Sequence, residues 1–273
     1  MNDQALVELA KRGDRNALEQ LMERVQDKVF RLAMRMLYHP ENAEDATQEI
    51  LIRVMTHLSQ FRGESTFSTW VYRVACNYLI GIRQKSAMER EISFDHFAEE
   101  HDKGLPFLDE GVGGPHEKLL EEEVKISCSG AMLMCLDRDH RMAYILGKIM
   151  ELSSAEASEV LQLPSSTYRK RLSRANERIR SFMQGRCGLV NPNNPCRCKK
   201  RVNYAVKLGR VNPEKPMFTS LPGTRDPRYL REEVEKMDEL KRAAAVFRSH
   251  PQYQAGDRFT TVIRQLVNSN RYS

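Results

Sequence analysis

Apolar residues that recur at steps of three and four positions dominate this chain, and this spacing is the feature that most limits its fold. Such positions share one face of an α-helix, since each turn takes 3.6 residues. No series of alternating apolar and polar residues predicts strands. The clearest helical run follows Asp14, a suitable helix cap, and comprises Leu18, Leu21, Met22, Val25, Val29, Leu32, Ala33 and Met36. We therefore predict an all-α fold.

Composition divides the predicted helices into two modules and an extension. The first module covers residues 1–88, with further helices after Pro40 and after Ser65 or Thr66. In residues 89–115 acidic side chains outnumber Lys and Arg, and clustered Gly and Pro oppose a helix, which predicts a flexible acidic linker. The second module covers residues 116–186. Residues 187–273 form an extension in which two amphipathic helices are predicted, near 228–248 and 257–268.

A helix-turn-helix is predicted within residues 151–180. A short helix capped by Ser153 or Ser154 leads to a turn at Leu163 and Pro164, and a longer helix begins at Ser165. A basic helical face alone is most often only a solvated surface. Here a helix cap, a turn and a basic helical face occur together, and this combination favours docking in the major groove of DNA. The predicted DNA contacts of this helix are Ser165, Ser166, Thr167, Arg169, Lys170, Arg171 and Arg174.

Charge and hydropathy narrow the function classes. Lys and Arg exceed Asp and Glu by 43 to 37, a net charge of +6 that leans toward polyanionic partners. No apolar run could span a bilayer and the amino terminus has no signal-peptide centre, so we expect a cytoplasmic protein. No phosphate-binding loop, nucleophile elbow or histidine-rich metal helix is present, so we do not expect an enzyme.

Three of the six cysteines, Cys187, Cys196 and Cys198, stand close together beside Asn-Pro turns. Metal ligands often have such a setting, but three thiolates are one ligand short of a closed zinc site, and His250 is the candidate for the fourth. Zinc, redox-active thiols and ordinary reduced cysteines all remain open. No other cofactor is expected.

The sequence resembles the extracytoplasmic-function branch of the bacterial RNA polymerase sigma factors over about residues 3–183. The resemblance rests on AEDATQEILIRV (residues 43–54), FRGESTFSTWVYRVACN (residues 61–77) and SSTYRKRLSRA (residues 165–175), in the family's order and spacing. It implies a front module that binds core polymerase and melts the promoter, and a second module that reads the upstream promoter element. RNA polymerase core and promoter DNA are the partners it implies.

Two surfaces of the front module acquire roles from this resemblance. One face of the second helix carries Asp45, Gln48, Glu49 and Ile52, which matches the position where the family docks on the polymerase; without the resemblance these acids would only solvate the helix and balance its dipole. Strand opening needs aromatic and basic groups beside the unpaired bases. The candidates for that role are Phe61, Arg62, Tyr72, Arg73 and Asn77. Gly81 departs from the family, which often has an acid there.

Two questions remain open at this level. An ordinary helix-turn-helix regulator that never joins core polymerase is the alternative function, and it would act only when holoenzyme is already present. The extension is expected to bury its apolar stripes against one of the two modules, either to inhibit access to DNA or polymerase or merely to stabilise the fold. The sequence does not reveal whether a separate anti-sigma protein holds the chain inactive.

Overall fold

The all-α prediction is confirmed in the computed structural model, which describes residues 1–82, 92–108, 116–229, 234, 237–256, 261 and 264–265. Two short strands lie at Gly223–Thr224 and Gln252–Tyr253. Among the described residues, no helix combines the length and the apolar character needed to cross a membrane. The α-helices are α1 Asp3–Lys11, α2 Arg15–Leu37, α3 Pro40–Thr56, α4 Phe67–Gly81, α5 Phe94–Lys103, α6 Glu117–Met134, α7 Arg138–Tyr144, α8 Ser154–Leu161, α9 Ser165–Arg186, α10 Val202–Lys207 and α11 Glu239–Arg248.

Local capping sets several of these helix starts. The Asp14 carboxylate accepts the Ala17 N–H at 2.9 Å, as the sequence predicts. Of the two residues predicted to cap α4, Thr66 does so, accepting the Thr69 N–H at 3.1 Å. At α3, Pro40 occupies the first turn, where its missing N–H is no loss. These starts depend on neighbours within four positions, which is why they can be read from sequence.

The chain forms two compact units whose boundaries do not follow the chain order. Unit 1 comprises residues 1–83, 153–165 and 253–273, and unit 2 comprises residues 84–152 and 166–252. The core of unit 1 lies between α2, α3 and α4. Its fully buried residues include Leu21, Val29, Leu32, Ile50 and Leu79, which come from the apolar stripes of these three helices.

Unit 2 is organised around a buried arginine. Arg141 on α7 is 1% exposed, and its guanidinium donates to the carbonyls of Leu133 and Leu136 at 2.8 Å. These carbonyls lie at and just beyond the end of α6, and the Leu133 carbonyl also accepts the Leu136 N–H at 3.1 Å. After α7 the chain forms a single π-helical turn, Ile145–Ile149. Arg141 therefore ties α7 to the end of α6.

Part of the segment predicted to be a flexible linker is a folded helix. Ser93 caps α5 by accepting the His96 N–H at 3.0 Å. Phe97 stacks on Phe182 of α9, with ring centroids 5.0 Å apart, and Asp102 accepts two hydrogen bonds from Arg186, each 3.0 Å long. The prediction weighed acidity and the later glycines, and it overlooked this aromatic face. Residues 89–91 and 109–115 of the predicted linker lie outside the described residues.

One part of the extension packs within unit 2. Phe247 of α11 packs edge-on against Tyr144, and the neighbouring His250 bonds Ser129 of α6 at 2.7 Å. Within the predicted helix over 228–248, α11 covers Glu239–Arg248, and residues 230–233 and 235–236 lie outside the described residues. The predicted helix over 257–268 lies almost wholly outside the described residues. Residues 253–265 that are described belong to unit 1.

Candidate nucleic-acid interface

The first helix of the predicted helix-turn-helix carries a reciprocal cap. The Glu156 N–H donates to Ser153 Oγ at 3.2 Å, and the Ser153 N–H donates to the Glu156 carboxylate at 2.8 Å. The same bonds lower the pKa of Glu156. The helix ends at Gln162, whose φ of 53° is left-handed and turns the chain sharply toward Pro164. This is the turn that the sequence predicts.

One side of α9 is buried in unit 2. Tyr168 is fully buried, and its hydroxyl donates to the Ala143 carbonyl at 3.3 Å. The close approach requires Gly147, because a Cβ there would collide with the Tyr168 hydroxyl and the Leu172 side chain. Ala175 and Ile179 continue the buried side of the helix.

The other side of α9 presents the predicted DNA contacts to solvent. Ser166, Arg169, Lys170 and Arg174 are exposed, while Ser165 and Thr167 are half-buried. Arg171 is half-buried as well, and its Nη2 lies 3.0 Å from an Asp139 carboxylate oxygen. To contact DNA, Arg171 would therefore have to break its ion pair with Asp139 or bring the Asp139 carboxylate close to the DNA as well. The sequence does not show this ion pair.

The four residues predicted to dock on polymerase all lie on α3. Asp45 and Gln48 are exposed, and Glu49 and Ile52 are half-buried. Glu49 accepts a hydrogen bond from Arg53 at 3.0 Å, and the guanidinium of Arg53 lies 4.8 Å from the centroid of the Tyr78 ring. Arg53 was not among the predicted residues of this face, although it lies four residues after Glu49 in the sequence.

Among the candidates for contacts with melted DNA, Phe61 requires a correction. It is 3% exposed and packs among Phe67 and Trp70, with ring centroids 5.8 and 5.7 Å away. A buried ring cannot stack on a base, so Phe61 is a core residue. Arg62 beside it is exposed.

The other candidates from this module lie on α4 with unequal access. Asn77 is exposed, whereas Tyr72 and Arg73 are half-buried. Arg73 Nη2 contacts Glu159 of α8, at 3.4 Å from its carbonyl oxygen and 3.7 Å from its carboxylate. Burial raises the pKa of Tyr72 to about 12. Cys76, between Arg73 and Asn77 on the same helix, is completely buried.

Comparison with known proteins places these surfaces in a family. Residues 21–86 match the model of Sigma-70 region 2, and residues 130–179 match Sigma-70 region 4. The chain is 31% identical over 186 residues to the RNA polymerase sigma-H factor of Pseudomonas aeruginosa, and 34% identical over 191 residues to the ECF RNA polymerase sigma-E factor of Escherichia coli. These alignments cover 67% of this chain and 94% and 95% of the relatives. The chain belongs to the extracytoplasmic-function sigma factors.

A solved structure is also similar to this sigma factor. CnrH, determined in complex with the cytosolic domain of CnrY, aligns with a TM-score of 0.48 and 20% identity over 67% of this chain and 97% of CnrH. The function follows from the sequence relatives, which are sigma factors. This protein directs RNA polymerase to promoters and performs no catalysis. The alternative of a regulator that never joins the polymerase is thereby set aside.

The next question is whether the cysteines of the extension are arranged as metal ligands. Among the described residues, no group of three or more His, Cys, Asp or Glu could hold a metal ion. His250, the proposed fourth ligand, bonds Ser129 instead. The cysteines are free thiols, and burial raises the pKa of Cys187 and Cys196 and lifts that of Cys198 well above 9.0. Buried neutral thiols pack as small apolar groups and react slowly.

Proposed function

We propose that this sigma factor contacts the promoter at two elements through two separate surfaces. The exposed face of α9 reads the upstream promoter element as duplex DNA. Helix α4 and exposed Arg62, in the loop before it, contact the promoter element that is melted. The observation that carries the proposal is the sidedness of α9. Its buried side is filled by Tyr168, Ala175 and Ile179, so Arg169, Lys170 and Arg174 are left for a polyanion.

We further propose that core polymerase docks on the face of α3 formed by Asp45, Gln48, Glu49 and Ile52. Exposed Asp45 offers a negative charge to a basic partner surface, Glu49 adds a second one that Arg53 now shares, and half-buried Ile52 adds apolar area beside them. The module of residues 1–88 then binds polymerase and melts DNA, and the module of residues 116–186 reads duplex DNA. The chain acts in the cytoplasm, where polymerase is. An anti-sigma partner also stays a proposal for this chain.

The test of the DNA-reading surface uses single alanine substitutions on α9. Arg169→Ala and Arg174→Ala should each weaken promoter binding by about 1–3 kcal/mol if the side chain reads a base, or reduce the salt dependence by about one phosphate contact if it does not. Lys241→Ala on α11 is the matched control, since it removes one exposed positive charge from the same unit. Binding is measured on a promoter mapped from transcript starts after overexpression.

Arg171→Ala is a separate case because of its pairing with Asp139. Full promoter affinity in all three arginine variants at matched salt would contradict the assignment of α9. The activity itself is tested by run-off transcription with core polymerase alone, which a sigma factor supports and an ordinary regulator does not.

A further inference from the structure

The backbone at Glu151, just before the helix-turn-helix, has a conformation that a residue with a Cβ rarely adopts. Its φ of 58° is left-handed. A Cβ lowers the population of that conformation about tenfold in a free chain. Glu151 stands two residues after the π-helical turn Ile145–Ile149, where the Leu152 N–H still donates to the Leu146 carbonyl at 3.0 Å. Contacts from elsewhere in unit 2 must therefore hold Glu151 in place.

Two side chains of the extension hold the Glu151 carboxylate. Arg248 Nη1 of α11 lies 2.9 Å from Glu151 Oε1, and the Tyr229 hydroxyl donates to Glu151 Oε2 at 3.1 Å. Arg248 Nη1 also donates to the Tyr229 hydroxyl oxygen at 3.3 Å, and its guanidinium lies 5.4 Å from the centroid of the Tyr229 ring. Tyr229 is buried and Arg248 is half-buried, so water screens this ion pair less than at an open surface.

The same arginine bonds the end of the π-helical turn. Arg248 Nε donates to the Lys148 carbonyl at 2.6 Å. Carbonyls in the last turn of a helix lie beyond the helical N–H donors, and a basic side chain is a common substitute. One guanidinium thus joins the end of the turn to Glu151, three residues further on. A lysine ammonium lacks this planar fork of donors and does not reproduce both bonds.

The π-helical turn also supports α9. A Cβ at Gly147, in the middle of the turn, would collide with the Tyr168 hydroxyl and the Leu172 side chain of α9. Just before the turn, Tyr144 packs edge-on against Phe247 of α11, with ring centroids 5.5 Å apart. A shift of this turn therefore displaces the buried side of α9, and with it the predicted DNA contacts on the opposite side.

We propose that Arg248 and Tyr229 are positioning residues for promoter recognition, which hold Glu151 and the π-helical turn so that α9 meets duplex DNA in one orientation. This inference rests on the proposed role of α9 in reading duplex DNA. A recognition helix that is already held in its bound orientation loses less conformational freedom on binding. The extension is then a working part of the DNA-reading module and not an inhibitor of it.

The test measures binding of the full chain to a dye-labelled duplex that carries the upstream element of a mapped promoter, by fluorescence anisotropy at several salt concentrations. Arg248→Ala should weaken binding about tenfold, because Glu151 then keeps its strained conformation without support. The slope against salt should stay native, since no phosphate contact is lost. Lys241→Ala on the same helix is the matched control and should bind as the native chain does.

Two milder variants keep the fold and the charge. Arg248→Lys retains the positive charge but should still weaken binding, because it does not make both bonds. Tyr229→Phe loses only the hydroxyl and should weaken binding about threefold. Native affinity in both variants would overturn the proposal. So would a salt slope reduced by about one phosphate contact in Arg248→Ala, because Arg248 would then contact DNA directly.

A rescue experiment tells positioning apart from a general loss of stability. Glycine adopts the left-handed conformation without a steric penalty, so Glu151→Gly in the Arg248→Ala background should restore binding to within about threefold of native. Glu151→Ala in the same background also removes the carboxylate but retains a Cβ, and should not restore binding. Equal affinity of the two double variants would mean that the backbone conformation of Glu151 is not what Arg248 secures, and the proposal would be wrong.

Arg169→Ala separates this inference from the function on which it rests. If Arg169→Ala weakens binding and Arg248→Ala does not, α9 reads DNA without help from the extension, and the inference fails alone. If Arg248→Ala weakens binding while Arg169→Ala and Arg174→Ala do not, the assignment of α9 fails, and the inference fails with it.

Discussion

Glu123 should be the residue on which attachment of the extension to α6 most depends. Its side chain is 2% exposed. The carboxylate accepts the N–H groups of Met217 at 2.6 Å, Phe218 at 3.0 and 3.1 Å, and Thr219 at 2.8 Å. One buried anion thus satisfies three successive backbone donors of a segment that has no regular secondary structure to do so.

The loss of stability expected on substituting Glu123 follows from these three N–H donors. A hydrogen bond to a charged group is worth about 1.5–3 kcal/mol, and a buried donor left unpaired costs about 1–3 kcal/mol. Phe218 is buried, whereas Met217 and Thr219 are partly exposed and can recover water. We therefore expect Glu123→Ala to lower the free energy of unfolding by about 3–5 kcal/mol. Glu123→Gln keeps one acceptor but loses the charge, and should cost about 2 kcal/mol.

The assay is chemical and thermal unfolding of the full chain. At about 2–4 °C per kcal/mol for a unit of this size, Glu123→Ala should lower the melting temperature of unit 2 by about 10 °C. Glu214→Gln is the control, because that exposed carboxylate precedes the same segment. If the free energy of unfolding of Glu123→Ala lies within about 1 kcal/mol of the native value, these hydrogen bonds do not carry the attachment.

Three further predictions concern both units. Reversing Asp45 and Glu49 to Lys should weaken core polymerase binding at least about 100-fold in a pull-down while helix content stays the same, because like charges would then meet; undiminished capture would mean that the docking face lies elsewhere. Gly147→Ala should cost about 1–3 kcal/mol of stability and lower promoter affinity by displacing α9, whereas Gly185→Ala has open space and should do neither. Desolvation and then Arg201 lower the pKa of His101 below its ordinary 6.5, so the folded chain binds fewer protons than the unfolded one just below that pH. Stability should therefore fall as pH drops below 6.5, and His101→Gln should flatten this part of the curve; an unchanged curve would exclude His101 as its cause.

The candidate sites were only partly predictable. The basic face of α9 and the acidic face of α3 could be read from sequence, because residues three and four apart on a helix share a face whatever surrounds it. The roles of individual residues on those faces could not. Arg171 is held by Asp139, and the aromatic Phe61 is buried, through contacts with residues far away or on other elements.

Local interactions were enough to predict the all-α class, the caps at Asp14 and Ser153, and the helix-turn-helix of this sigma factor. Each of these features depends on neighbours a few residues away along the chain. The packing of α5 on Phe182 and the bond between Ala255 and Asp27 became visible only in the folded chain. Such contacts join positions more than eighty residues apart. The spacing of apolar residues within one helix shows which face will be buried, but not which distant side chain will pack against that face.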